Sequence, residues 1–198
     1  MQLITIAKTG FDPTTLQPVS QALRSGRVAI LPTDTVYGLA TLPKYQARLF
    51  KLKKRPAKKA IPWLAAETSA LDKFCVGVPD YAHELAERYW PGALTLICKT
   101  GPDARALWSG AADSLALRVP DEEVIREVIR QVGTPLAVTS ANLSGLSPQT
   151  SYRLVDPRIK QLAEVAVDDG QSFGHEPSTI VDCTGEAPRI LRQGPVEL

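Results

Sequence analysis

Short apolar segments alternate along the chain with longer segments whose apolar residues have helical spacing. The short segments are typical of buried strands, and the longer ones are typical of helices that pack on a sheet. Strands are predicted at residues 3–7 and 28–31 and in "IPWLAAE", "ALTLICK", "SLALRVP", "PLAVTS", "LAEVAVDDG", "STIVDCT" and "PRILRQG". Helices are predicted before Gly26, in "YQARLFKLKKRP" before Pro56, in "PDYAHELAERYW" and in "DEEVIREVIRQVG". This order predicts an α/β fold with a twisted mixed β-sheet flanked by helices on both sides.

Length and composition indicate one globular domain over residues 1–198, with 44% hydrophobic and 22% charged residues. A net charge of +2 is too small to indicate a general nucleic-acid binder, so any anion site must be local. Three cysteines without CxxC spacing and two scattered histidines predict no metal-binding residues of the protein's own. The chain has no charged leader and no long apolar run, so we expect a reduced, cytoplasmic protein without membrane contact.

The segment "KKRPAKKAIPWL", residues 53–64, has five cations in its first seven positions. If the chain is extended after the preceding helix, Lys53 and Arg55 point to the same side and could bind one anion together. A solvated basic surface is the alternative, and Lys58 and Lys59 keep that interpretation open.

Two predicted strands open into polar loops, in "AILPTDTVYGLA" and "PLAVTSANLSG". Ligands of open α/β sheets collect beyond the carboxyl ends of strands, where loops expose hydroxyls and backbone N–H groups. In the second loop, Ser140, Asn142 and Ser144 recur at every second position and would line one side of an extended segment. Both loops could equally be ordinary turns or helix caps.

The segment "DSLALRVPD" alternates, with Ser114, Ala116 and Arg118 on the face opposite its apolar residues. An arginine beside small residues in a covered sheet would be held by a carboxylate or phosphate. A solvated arginine on an edge strand is the alternative.

Five motifs, "PTDTVYGLA", "KKRP", "WPGALTLI", "SLALRVPD" and "TSANLSG", occur in this order over almost the whole chain. Together they resemble the YrdC/TsaC family of threonylcarbamoyl-AMP synthases. The resemblance implies a YrdC-like fold with a large open cavity, and the end of the chain just past Arg192 is similar to the short, single-domain form of the family.

The resemblance also implies the site. The L-threonine-binding positions fall on Thr33, Arg118, Ser140 and Ser178. The ATP-binding positions fall on Lys53, Arg55, Ser114, Asn142, Thr150 and Arg192, of which Lys53 and Arg55 would be catalytic.

The activity that the resemblance implies is nucleotidyl transfer. L-threonine, bicarbonate or CO2, and ATP with Mg²⁺ would give L-threonylcarbamoyladenylate and pyrophosphate, for N6-threonylcarbamoyladenosine at position 37 of tRNA. A separate tRNA threonylcarbamoyl transferase complex would receive the product through transient contact. Two alternatives stay open: an RNA-binding module of the same fold for tRNA, ribosomal or double-stranded RNA, and a paralogous carbamoyl or nucleotidyl transferase with another acceptor.

Overall fold

The computed structural model describes residues 1–7, 10–53, 60–108, 110, 112–170 and 176–198. The strands in these ranges are β1 (Gln2–Thr5), β2 (Ala29–Leu31), β3 (Gly38–Thr41), β4 (Trp63–Leu64), β5 (Leu94–Lys99), β6 (Ser114–Arg118), β7 (Leu136–Ser140), β8 (Val165–Asp168), β9 (Thr179–Asp182) and β10 (Arg189–Arg192). They form one sheet in the order β1-β8-β2-β3-β7-β4-β6-β5-β9-β10. Parallel pairs such as β5 with β9 occur beside antiparallel pairs such as β5 with β6, which confirms the predicted mixed sheet.

The helices are α1 (Gln17–Arg24), α2 (Ala47–Lys53), α3 (Ala70–Phe74), α4 (Asp80–Tyr89), α5 (Pro102–Leu107), α6 (Glu123–Val132) and α7 (Pro157–Lys160). Their ends follow local chemistry. The Glu122 side chain accepts a hydrogen bond from the Val124 N–H at the start of α6, and Gly133 ends that helix with a φ of 80°. Gly26, with a φ of 76°, follows α1 in the same way.

Successive residues of a strand face opposite sides of the sheet, which divides the apolar side chains between two cores. The larger core contains Trp63 and Leu117 and packs under α3 and α4. The second core lies on the other face, where α1 and α6 cover β2, β3 and β7.

The second face of β5, β6 and β9 differs from the rest of the sheet. Among the described residues, these three strands contribute side chains only to the larger core. The predicted cover on both faces therefore holds for the centre of the sheet but not for these strands. The second face of β5 and β6 carries the polar side chains of Thr95, Ser114 and Arg118, and Ser178 lies directly before β9.

The predicted strands and helices are confirmed, with small differences at their ends. Sequence patterns missed β3, a strand of small residues, and the short helices α3, α5 and α7. In the described part of the chain, no helix has the length and apolar character needed to cross a membrane.

Candidate active site

The loop after β2 is folded around the hydroxyl of Thr33. This hydroxyl donates to the Val36 carbonyl at 2.6 Å and accepts from the backbone N–H groups of Thr35 and Val36, each at 3.2 Å. Thr33 and Thr35 are buried, and Asp34 is only partly exposed. The predicted ligand loop is therefore a compact turn with a fixed shape.

Arg118 reaches this loop from the end of β6. Its Nη2 donates to Asp34 Oδ1, its Nη1 donates to Thr35 Oγ1 at 3.2 Å, and its Nε donates to the Gly92 carbonyl at 2.9 Å. The side chains of Arg118 and Asp34 are 6% and 12% exposed. Arg118 is thus a buried, paired cation, which excludes the alternative of a solvated arginine on an edge strand.

A row of polar side chains continues from Arg118 across the neighbouring strands. The register of β5 and β6, in which Leu96 faces Leu117, places Thr95 beside Arg118. The hydroxyls of Thr95 and Ser178 share a hydrogen bond of 2.8 Å. Arg192 donates from Nε and Nη2 to the Ser178 carbonyl, at 2.9 and 2.7 Å, and from Nη2 to its hydroxyl at 3.2 Å.

Lys53 organises the loop that follows β7. Its ammonium donates to Asn142 Oδ1 at 3.0 Å, to Thr139 Oγ1 at 3.4 Å and to the Ser140 carbonyl. Ser144 donates its hydroxyl proton to the Lys53 carbonyl at 2.6 Å. Lys53 is the last residue of α2 and is 5% exposed, which confirms the helix predicted in this segment; the extended chain that would align Lys53 with Arg55 lies outside the described residues. The helix directs its side chain into the β7 loop.

Tyr37 connects the two loops with each other and with β8. Its backbone N–H donates to the Gln149 carbonyl at 2.9 Å, and its carbonyl accepts from the Ala141 N–H at 2.7 Å. Its hydroxyl donates to Asp169 Oδ1 at 2.7 Å. Burial, supported by this hydrogen bond to a carboxylate, raises the pKa of Tyr37 well above its usual range.

A cavity of about 670 Å³ opens at the far end of the polar face. Ser114 lines it together with Ile97 and Lys99 of β5 and Asp182 of β9. Hydrogen bonds from the side chain and the backbone N–H of Thr184 lower the pKa of Asp182. Ser114 and Arg118 share one face of β6, so this cavity continues the surface on which Arg118 lies.

The predicted site residues fall into three groups. Arg118 contacts the loop that contains Thr33 through Asp34 and Thr35, Lys53 contacts Ser140 and Asn142 at the end of β7, and Arg192 of β10 contacts Ser178 just before β9. Ser114 lines the cavity, and Thr150 lies half-buried next to Gln149. The predicted catalytic residue Arg55, together with Lys58 and Lys59, lies outside the described residues.

Sequence reasoning did not assign roles in the site to Asp34, Tyr37, Thr95 and Asp169. The position of Asp34 and Tyr37 in a loop after a buried strand was the available signal for those two. Thr95 and Asp169 carry no comparable sequence signal, because the sheet register and the end of β8 bring them into place.

A family model for Sua5, YciO and YrdC proteins, described as telomere recombination, matches residues 21–194. The chain belongs to this family. A putative threonylcarbamoyl-AMP synthase of Mycobacterium tuberculosis is 35% identical over 178 residues, which cover 88% of this chain and 82% of the relative. A threonylcarbamoyl-AMP synthase of Vibrio vulnificus is 32% identical, with 90% of this chain and 98% of the relative covered.

Solved structures agree with this assignment. Sua5 of Pyrococcus abyssi in complex with L-threonine matches with a TM-score of 0.90 and 29% identity over 98% of this chain. This chain spans 58% of that structure and 54% of the threonylcarbamoyl-AMP synthase of Bacillus subtilis, which is 33% identical over 92% of this chain. YciO of E. coli, at 21% identity and a TM-score of 0.88, supports the fold alone.

Proposed function

We propose that this chain is a threonylcarbamoyl-AMP synthase, which forms L-threonylcarbamoyladenylate and pyrophosphate from L-threonine, bicarbonate or CO2, and ATP. The observation that carries the proposal is the polar row of Arg118, Thr95 and Ser178 beside an open cavity, in a chain whose relatives bear this name. We also propose that residues 1–198 act as one domain. The support is that all ten strands form one sheet, with β1 and β10 as its two edge strands.

L-threonine binds at the end of the row where Arg118 lies. Arginine suits the threonine carboxylate because its planar guanidinium can donate two parallel hydrogen bonds. Thr33 and Ser178 border this position, and Ser140 completes it from β7, opposite Gly38. A relative with the same fold has been solved in complex with L-threonine, which supports threonine as the ligand.

ATP lies along the open face and the β7 loop. Lys53 and Arg55 are the catalytic cations beside the phosphates, while Asn142, Thr150, Ser114 and Arg192 bind the rest of the nucleotide. The carbamate of threonine attacks the α-phosphorus, a new P–O bond forms, and the bond to the β-phosphate breaks to release pyrophosphate. Positioning and charge stabilisation are sufficient for such a transfer, so the protein need not supply a nucleophile.

Mg²⁺ is expected to enter with ATP. The described residues do not bring three or more His, Cys, Asp or Glu side chains together as a metal site. Phosphate oxygens and water are therefore expected to hold the metal.

The labile adenylate requires an acceptor. We propose transient contact with a separate tRNA threonylcarbamoyl transferase complex, and direct contact of the basic segments with tRNA or double-stranded RNA. A purely RNA-binding module is not favoured, because the curated relatives are named as synthases.

The test is incubation of the purified chain with ATP, Mg²⁺, labelled bicarbonate and one amino acid at a time. We expect pyrophosphate and a labelled adenylate only when threonine and bicarbonate are both present. Serine should be a poorer substrate by roughly 1 to 3 kcal/mol, because it lacks one methyl group. Pyrophosphate release with ATP alone, or equal use of serine and threonine, would contradict the proposal.

A further inference from the structure

Tyr37 is completely buried directly before β3, between the loop after β2 and the loop after β7. The first loop contains the proposed threonine position Thr33, and the second contains the proposed nucleotide position Asn142. From its contacts we infer that Tyr37 is a positioning residue, which sets the distance between bound threonine and bound ATP through its hydrogen bond to Asp169. This inference rests on the proposed function, because it takes threonine and ATP to bind at these two loops.

The backbone of Tyr37 holds both ends of the loop after β7. Its carbonyl accepts from the Ala141 N–H at 2.7 Å, which extends the pairing of β3 with β7 by one residue. Its N–H donates to the Gln149 carbonyl at 2.9 Å. The segment between these two bonds contains Asn142, so a displacement of Tyr37 displaces the nucleotide loop as well.

The side chain of Tyr37 determines where this backbone lies. Its hydroxyl donates at 2.7 Å to Oδ1 of Asp169, which follows β8 directly and is 5% exposed. Its ring packs against the buried ring of Tyr152, with 6.2 Å between the two centroids. The sheet pairs β8 with β2, so the hydrogen bond ties the loop after β7 to a strand end that the sheet holds in place.

The threonine position has its own set of contacts. Arg118 is fixed by its hydrogen bonds to the loop after β2 and to the Gly92 carbonyl. A small displacement of Tyr37 would therefore move the nucleotide loop relative to Arg118 instead of moving both substrates together. Transfer to phosphorus needs the reacting atoms close together and in line, and a misplacement of about 1 Å can lower a rate about a hundredfold. Each affinity alone depends far less on this distance.

The test separates the rate from the two affinities. Tyr37→Phe keeps the ring and removes only the hydroxyl. Its kcat for formation of the labelled adenylate and pyrophosphate should fall at least about tenfold. The dissociation constants of threonine and ATP, measured separately by calorimetric titration, should stay near the wild-type values. A purely structural role would lower the denaturation midpoint but would leave kcat of the folded variant unchanged, and that result would overturn the inference.

Tyr152→Phe is the matched control, because it removes a hydroxyl from the neighbouring ring. Within the described residues, the contact of that hydroxyl is with the sulfur of Met1 at 4.0 Å, so kcat should not change. Asp169→Asn keeps an oxygen that can accept from Tyr37 and should retain most of kcat, whereas Asp169→Ala should lower it. If the hydrogen bond is the cause, Tyr37→Phe/Asp169→Ala should lose less than the product of the two single losses.

Independent losses in that double variant would overturn the inference. If Tyr37→Phe does not fold, Asp169→Ala decides by the same comparison of kcat with the two dissociation constants, and an unchanged kcat overturns it. A wild-type chain that forms no adenylate would instead contradict the proposed function.

Discussion

Lys53 and Asn142 lie 89 positions apart in sequence, yet Nζ of Lys53 donates to Oδ1 of Asn142 at 3.0 Å. The same ammonium donates to the Ser140 carbonyl, and Ser144 returns a hydrogen bond to the Lys53 carbonyl. Lys53 therefore fixes the shape of the β7 loop from the end of α2. Its position beside the predicted nucleotide site gives it two effects that can be measured separately.

Lys53→Met should weaken both folding and ATP binding. Methionine keeps the apolar stem but leaves the buried oxygens of Ser140 and Asn142 without the ammonium, which costs about 1 to 3 kcal/mol of unfolding free energy. ATP affinity should fall further, because a positive charge beside the phosphates is lost. Chemical denaturation and ATP titration check the two effects. Lys51→Met, on an exposed position of the same helix, should change neither, and wild-type ATP binding by Lys53→Met would remove Lys53 from the nucleotide site.

Arg118→Ala should lower threonine-dependent kcat/KM far more than it lowers ATP affinity. Loss of the guanidinium leaves the threonine carboxylate without a charged partner and should cost about 2 to 4 kcal/mol in threonine-dependent kcat/KM. Arg118→Lys should recover little, because an ammonium cannot make two parallel bonds. Separate titrations of threonine and ATP on folded protein check this, and unchanged threonine dependence would contradict the pocket assignment. Denaturation should show a loss of stability as well, because Asp34 stays partly buried without its partner.

Local patterns were sufficient for most of the fold. The apolar segment of β7 predicts a strand, and the glycine after α6 predicts the end of that helix, without any information on distant residues. Strand β3 was missed because "GLAT" contains small residues of weak strand preference. Its conformation comes from pairing with β2 and β7, which supply hydrogen bonds on both edges and which a local pattern does not reveal.

The site was predictable as residue types but not as contacts. The resemblance placed Arg118 and Thr33 in one threonine-binding set, whereas the pairing of Arg118 with Asp34 depends on how the loop after β2 folds over the sheet. The contacts of Lys53 were not predictable, because α2 directs its side chain to the loop after β7, 87 to 91 positions further along the chain. The bond from Tyr37 to Asp169 joins residues 132 positions apart, beyond the range of any local pattern.

Because of Tyr37, the free energy of unfolding should fall as the pH rises in the alkaline range. Burial and the bond to Asp169 raise the pKa of Tyr37 in the folded chain above its ordinary value of 10.0. The folded state then keeps the phenol proton where the unfolded state loses it. This contribution is fully present below about pH 10 and declines as the pH rises above it. Denaturation midpoints measured from about pH 9 to pH 11 should fall more steeply for the wild type than for Tyr37→Phe. Equal slopes would contradict the raised pKa.

Gly38 should tolerate no larger side chain, because β3 and β7 approach closely at this position. A Cβ at Gly38 would lie 2.5 Å from Cγ1 of the buried Val138, a short β-branched side chain that cannot swing away. Gly38→Ala should therefore lower the unfolding free energy by about 1 to 3 kcal/mol, as overpacking does in a core.

The double variant Gly38→Ala/Val138→Ala separates overpacking from other causes. Removal of the Val138 methyl groups makes room for the new one, so the double variant should be more stable than the sum of the two single effects predicts. Gly185→Ala is the control, because a Cβ there meets no atom within 4 Å. Strict additivity of the two changes in chemical denaturation would show that contact with Val138 is not the reason for the glycine.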